Sequence, residues 1–129
     1  MPQIYIMLSP RAQELIGDNA IKFIKEIDEA VATIVFSEWS VPEDDIACSA
    51  VFLAYARNEA DVQIELRYTT GIDLYHPGET FDPPVKMQLE LNDSVTNAVA
   101  PILAEYQIFC SVWCKPHANS KFTIGGSSD

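Results

Sequence analysis

The stretch that begins at Asp18 and ends before SVPEDD (residues 40–45) carries apolar residues at the three- and four-residue spacing of one helix face. Its apolar positions are Phe23, Ile24, Ile27, Val31, Ile34 and Val35. The opposite face carries the charged residues Lys22, Lys25, Glu26 and Glu29. A helix of this kind must bury its apolar stripe against a second layer of structure. The chain is therefore predicted to fold as a layered globular domain.

Strand patterns lie on both sides of this helix. In residues 3–8 isoleucine and leucine alternate with Gln, Tyr and Met, which predicts a short strand with one strongly apolar face. Ser9 as an N-cap and Pro10 at the first helical position predict a helix start directly afterwards. The stretches IACSAVFLAYA (46–56) and VQIELRY (62–68) are predicted to be two strands joined by the turn RNEAD as a hairpin.

The stretch that follows the loop TTGIDLYHPGETFDPP fits two structures. Alternate apolar residues in 85–91 are typical of a strand. Helical spacing is instead shown by Met87, Leu91, Val95, Ala98 and Ile102. We favour a helix that begins at about Pro83 or Asn92, ends at Glu105 and bends near Pro101.

With QIFCSVWC (107–114) as the last strand, the order of elements is β-α-β-β-α-β. Two β-α-β units in tandem give an α+β fold, with two helices on one face of a four-stranded sheet. Ferredoxin-like domains and the tautomerase fold both have this order. We expect one domain at residues 1–122 and a flexible tail at residues 123–129.

Charge and hydropathy exclude several classes of protein. The chain has 19 acidic and 8 basic residues and a net charge of −11, so a nucleic-acid backbone would be repelled. No apolar run has the length of a membrane span, and the N-terminus lacks the pattern of a signal peptide. We therefore expect a soluble, cytoplasmic protein without a nucleic-acid or membrane partner.

The cysteines do not form a recognisable framework. Cys48, Cys110 and Cys114 are odd in number, which favours a reducing compartment over disulfide bonding. A zinc site would need more ligands, and only His76 and His117 could supply them. We predict buried, inert thiols and no metal site.

Pro2 is the residue with the most distinctive chemistry. Methionine before a small residue such as proline is usually removed, which would leave Pro2 with a free secondary amine. An ordinary α-amino group has a pKa of about 8, and an apolar pocket or a neighbouring cation lowers it. An amine that titrates near neutrality can act as a general base on a carbon next to a carbonyl.

Short motifs resemble the tautomerase superfamily. MPQIYIMLSPR resembles its start, where Met-Pro precedes an apolar strand and a turn with arginine. VPEDDIACSAVF resembles the segment between its helix and second strand, and FTIGG resembles the ending of the 4-oxalocrotonate tautomerase hairpin. The length and the KPHANSKF tail are similar to 5-carboxymethyl-2-hydroxymuconate isomerase.

This resemblance implies a homotrimer whose sheets pack into a barrel, with active sites at the subunit boundaries. It implies keto-enol tautomerisation of a small carboxylic acid without a metal or organic cofactor. Pro2 carries over as the general base, and Arg11 lies near the arginine that follows the first strand in the family. Phe122 lies where the family places an aromatic wall.

The sequence also departs from the family. IACSAV, early in the second strand, has no arginine to bind a substrate carboxylate, and TTGID, after the third strand, has no cation. Arg67 is the candidate replacement, although it could instead pair with Glu65 on the solvent face of its strand. The alternative function is a catalytically weak protein of this fold that binds a metabolite or serves in assembly. A ferredoxin-like binding domain, in which Pro2 has no role, is the third hypothesis.

Overall fold

The computed structural model of the chain describes residues 2–71 and 80–118. Four strands and three helices follow one another in these residues. They are β1 (Gln3–Leu8), α1 (Pro10–Ile16), α2 (Ala20–Trp39), β2 (Ala47–Phe52), β3 (Val62–Thr70), α3 (Val85–Ala104) and β4 (Cys110–Ala118). Ser9 caps α1, since its Oγ accepts a hydrogen bond from the Ala12 amide at 3.1 Å, and Pro10 occupies the first turn, as predicted.

The four strands form one mixed sheet in the order β2-β1-β3-β4. β1 pairs in parallel with β2, β3 pairs in parallel with β4, and β1 and β3 pair antiparallel in the centre. Each parallel pair is joined through a long helix, α2 in the first half and α3 in the second. The fold is therefore α+β and consists of two β-α-β units, as the sequence predicted.

The predicted hairpin between the second and third strands is wrong. β2 and β3 are not neighbours, because β1 lies between them. The connection at residues 53–61 passes the end of β1, where the Leu53 amide donates to the Leu8 carbonyl at 2.9 Å. The connection of residues 53–61 is long enough to pass the end of β1, so β2 pairs in parallel with the outer edge of β1 instead.

Residues 85–91, which fit either a strand or a helix in the sequence, are helical, so the predicted start near Pro83 is confirmed and the one at Asn92 is wrong. α3 begins at Val85, and its buried residues recur at every fourth position: Leu91, Val95, Val99 and Leu103. The alternation that suggested a strand comes from exposed side chains of the first turns, among them Val85 and Leu89. Pro101 lies inside α3. None of the described helices is both long enough and apolar enough to cross a bilayer.

The last strand begins and ends later in the sequence than predicted. β4 spans Cys110–Ala118 rather than residues 107–114. Residues 115–118, the first four of the KPHANSKF tail named above, continue this strand. β4 lies at the edge of the sheet that the described residues form, and an edge strand can accommodate a proline such as Pro116.

The hydrophobic core lies between one face of the sheet and the two long helices. β1 contributes Ile4, Ile6 and Leu8 to it, and α2 contributes Phe23, Ile27, Val31, Val35 and Trp39. The opposite face of the sheet has mixed chemistry. Its described side chains include Gln3, Tyr5 and Met7 of β1, Gln63, Glu65 and Arg67 of β3, and Ser111, Trp113 and Lys115 of β4. Trp113 is 56% exposed, which shows that this face is open in the single chain.

Candidate active site at the Pro2 end of the sheet

Pro2 is buried and lies at the beginning of β1. Its carbonyl accepts a hydrogen bond from the Ala47 amide at 3.1 Å, which fixes it beside the start of β2. The next residue, Gln3, pairs with Arg67 near the end of β3. The nitrogen of Pro2 is therefore held at one end of the sheet, where the first two strands begin and the third approaches its end.

A cluster of three charged side chains occupies the open face at this end. Arg67 donates from Nε and Nη2 to Oε2 of Glu65, at 3.0 and 2.9 Å. Lys115 Nζ lies 2.8 Å from Oε1 of the same carboxylate. Arg67 and Lys115 are directly opposite each other in the β3–β4 pairing. Two cations thus share one carboxylate, which leaves a net positive charge beside the Pro2 end of the sheet.

Glu65 is the buried member of this cluster, with 6% of its surface exposed. Burial alone would raise its pKa, but the hydrogen bonds and charges of Lys115 and Arg67 outweigh burial and lower the pKa below its ordinary value. Glu65 is therefore ionised at neutral pH and holds both cations in place. The prediction that Arg67 could pair with Glu65 is confirmed.

Aromatic stacking also orients Arg67. Its Cζ lies 3.9 Å from the centre of the Tyr5 ring, in a cation–π arrangement. The Nη1 donors of Arg67 have no hydrogen-bond partner within residues 2–71 and 80–118. The guanidinium side chain is 39% exposed, so solvent reaches it.

On the core side of the same end, three aromatic rings pack edge to face. The ring centres of Trp39 and Tyr68 lie 5.1 Å apart, and Phe81 lies 5.7 Å from each of them. These residues, which we call the aromatic triad, come from the end of α2, the end of β3 and the segment before α3. Continuing the β1–β3 pairing by one residue places Tyr68 opposite Pro2.

The other two predicted site residues, Arg11 and Phe122, are not among the described residues near Pro2. Arg11 lies beyond the far end of β1, about 20 Å from Pro2 for a six-residue strand. It is paired with both oxygens of Asp61 at 2.9 Å. The structure therefore does not bring Arg11 and Pro2 of one chain together. Phe122, like His76, lies outside the described residues.

The three cysteines carry protonated thiols. Burial raises the pKa of Cys114 to about 12, and burial together with the neighbouring Asp28 raises that of Cys48 to about 12. Burial also raises the pKa of Cys110. Within the described parts of the chain, no group of three His, Cys, Asp or Glu side chains could hold a metal ion.

The sequence pattern identifies neither the role of Lys115 nor the aromatic triad. The position of Lys115 opposite Arg67 is evident only from the β3–β4 register. The triad joins Trp39, Tyr68 and Phe81, which are far apart in the sequence. No local pattern could have placed these side chains together.

Comparison with known proteins establishes the fold. No protein-family model and no curated protein matches the sequence. Solved structures do match. The FG41 malonate semialdehyde decarboxylase inhibited by 3-bromopropiolate has a TM-score of 0.59 at 12% identity, with 98% of this chain and 91% of that chain covered. The F6 fused 4-OT, an asymmetric trimer, has a TM-score of 0.64 at 11% identity, with 97% and 94% covered. A 5-carboxymethyl-2-hydroxymuconate delta-isomerase has a TM-score of 0.60 at 12% identity, with 99% and 89% covered.

The chain has the tautomerase-superfamily fold. The similarity extends over almost the whole chain, so both β-α-β units are included. It decides between the two folds that the order of elements had left open.

Proposed function

We propose that the protein is a cofactor-independent tautomerase or isomerase in which Pro2 acts as the general base on a small keto-enol carboxylic acid. The observation that carries the proposal is the position of Pro2. It is buried at the end of the sheet where Arg67 and Lys115 share the single carboxylate of Glu65. A base and a net positive charge at one end of the sheet are what proton transfer next to a carboxylated carbonyl requires.

In this mechanism the unprotonated Pro2 nitrogen takes a proton from the carbon or enol oxygen of the substrate. The proton then returns at the other end of the conjugated system. Arg67, through Nη1 donors that none of the described residues engages, binds the substrate carboxylate or the oxygen on which negative charge develops. Burial and the nearby cations disfavour a protonated Pro2, which keeps the amine basic but uncharged near neutral pH.

We further propose that the working form is a homotrimer. A fused 4-OT with this fold is described as a trimer, and the open face of the sheet leaves Trp113 exposed in the single chain. Arg11 lies far from Pro2 of its own chain, so its proposed role in substrate binding would be at the Pro2 site of a neighbouring subunit. Phe122 is retained as a proposed wall of that site.

A catalytically weak metabolite-binding protein of the same fold is the second candidate function. It is favoured by the engagement of Arg67 with Glu65 and Tyr5 and by the absence of arginine early in β2. Under this hypothesis the positive cluster binds an acid without turnover. Reactivity of the Pro2 amine separates the two candidates.

Treatment with 3-bromopropiolate should modify the Pro2 nitrogen of the mature protein. This compound inhibits the FG41 decarboxylase of the same fold, and its activated alkyne accepts a nucleophilic amine. At pH 7 an uncharged secondary amine held beside Arg67 should react, whereas the protonated thiols of Cys48 and Cys114 should react slowly. Intact mass and peptide mapping are expected to show one adduct per chain on the N-terminal peptide.

The matched control is the same reaction after acetylation of the N-terminal amine, which should abolish the adduct. Adducts confined to cysteine peptides, or no adduct at saturating reagent, would contradict a reactive Pro2. Retention of Met1 on the protein purified from its native source would also contradict a reactive Pro2, because the Pro2 nitrogen would then be part of a peptide bond.

A further inference from the structure

Two buried donors in the aromatic triad have no hydrogen-bond partner among the residues that the structure describes. They are Trp39 Nε1 and Tyr68 Oη. Trp39 is 6% exposed and Tyr68 is 2% exposed, so solvent does not satisfy either group. A buried polar group without a partner destabilises the fold, and native proteins contain few of them. Both groups lie on side chains whose ring centres are 5.1 Å apart. An acceptor from outside the chain that reached this place would satisfy them.

The chemistry of the two groups defines that acceptor. The indole nitrogen can only donate a hydrogen bond. Burial raises the pKa of Tyr68, and the acidic groups of Cys114 and Asp82 act in the same direction, so the phenol keeps its proton and donates as well. Two neutral donors among aromatic rings suit a carbonyl or carboxylate oxygen on a molecule whose remaining surface is apolar.

The position of the triad relates this acceptor to Pro2. Tyr68 falls opposite Pro2 when the β1–β3 pairing is continued by one residue. Phe81 is the one member of the triad that is partly exposed, and it packs against both other rings at 5.7 Å. The Gly71 amide donates a hydrogen bond to the carbonyl of Phe81 at 3.1 Å, so the backbone of Phe81 is anchored while its ring packs against the two donor rings.

We propose that Trp39 Nε1 and Tyr68 Oη bind an oxygen of the substrate at the Pro2 end of the core, once the Phe81 ring moves aside, and that they select an aromatic or otherwise apolar keto-enol monoacid. This rests on the proposed function and names its substrate class. The neutral donors disfavour a second carboxylate, and the net charge of −11 disfavours dianions in general. Phenylenolpyruvate is therefore preferred over the dicarboxylate 2-hydroxymuconate.

Tryptophan fluorescence can test this assignment directly. The chain has two tryptophans, so Trp113→Phe leaves Trp39 as the only one. Titration of this variant with phenylpyruvate should give saturable quenching. Adding Tyr68→Phe should weaken binding about ten-fold, because one of two donors is lost. Tyr55→Phe in the same background is the matched control, since Tyr55 is 75% exposed in the connection after β2, and binding should not change.

Thermal unfolding separates this role from a structural one. Tyr68→Phe removes an unpartnered buried hydroxyl, so Tm should stay the same or rise while binding weakens. Unchanged affinity in Tyr68→Phe, or no quenching of Trp39 by phenylpyruvate, would overturn the assignment. If turnover depends on Pro2 but is unaffected by Tyr68→Phe, the proposed function stands and the role of Tyr68 in substrate binding is refuted. Quenching that needs Tyr68, with no turnover of either enol acid, would support the site and refute the enzyme.

Discussion

Replacing Pro2 with alanine is expected to lower kcat for phenylenolpyruvate by about 10²–10⁴-fold, the usual contribution of a positioned general base. Alanine keeps an α-amine but changes its basicity and removes the ring that fixes the nitrogen at the start of β1. The carbonyl that accepts from the Ala47 amide is retained, so the fold should be unchanged. Initial rates of ketonisation, with KM determined separately, measure the effect.

Pro101→Ala is the matched control for this substitution. Pro101 is exposed inside α3 and belongs to no proposed site, so its replacement should leave kcat within about two-fold. Mass spectrometry should show that Met1 is absent from both variants. A Pro2→Ala protein with the kcat of the wild type would contradict the mechanism.

Replacing Arg67 with glutamine is expected to lower kcat/KM by about 10²-fold, within the range seen when a donor to a developing negative charge is lost. The neutral side chain can neither make a charge-assisted hydrogen bond to a carboxylate nor balance Glu65, which would then share its charge with Lys115 alone. Arg67→Lys should recover part of the activity, because it restores the charge without the planar donor pair. Steady-state kinetics on the three proteins measure both effects.

Arg57→Gln is the control of equal charge change. Arg57 lies exposed in the connection at residues 53–61, so its loss should leave kcat/KM nearly unchanged apart from a weak, salt-dependent effect. Equal losses in Arg67→Gln and Arg57→Gln would show that only the overall charge matters. Loss of activity together with a large fall in Tm in Arg67→Gln would assign Arg67 to stability rather than to substrate binding.

Local patterns predicted the parts of the fold that depend on local physics. The apolar stripe from Phe23 to Val35 specified α2, and Ser9 with Pro10 specified the start of α1. The sequence could not exclude a hairpin between β2 and β3. β1 and β3 have similar apolar strand patterns, so either of them could have paired with β2. Only the packing of the complete sheet, in which β1 takes the central position beside β3, decides between them.

The candidate site was predictable only in part for the same reason. Pro2 stood out because its chemistry depends on its position in the chain. Arg67 stood out because cations are scarce in an acidic chain. The role of Lys115 and the unpartnered groups of Trp39 and Tyr68 depend on contacts between distant residues, which alternation and spacing do not encode.

The pKa of the Pro2 amine, measured by nitrogen NMR titration of the processed protein, tests the central claim most directly. A buried amine near Arg67 and Lys115 is expected to titrate at about 7 or lower, below the value of about 8 for an ordinary chain end. Rates on phenylenolpyruvate should then rise with pH through the same value, because the unprotonated amine is the base. A pKa of about 8 or higher, or a titration without effect on the rate, would contradict the account and leave Pro2 as the first residue of a strand.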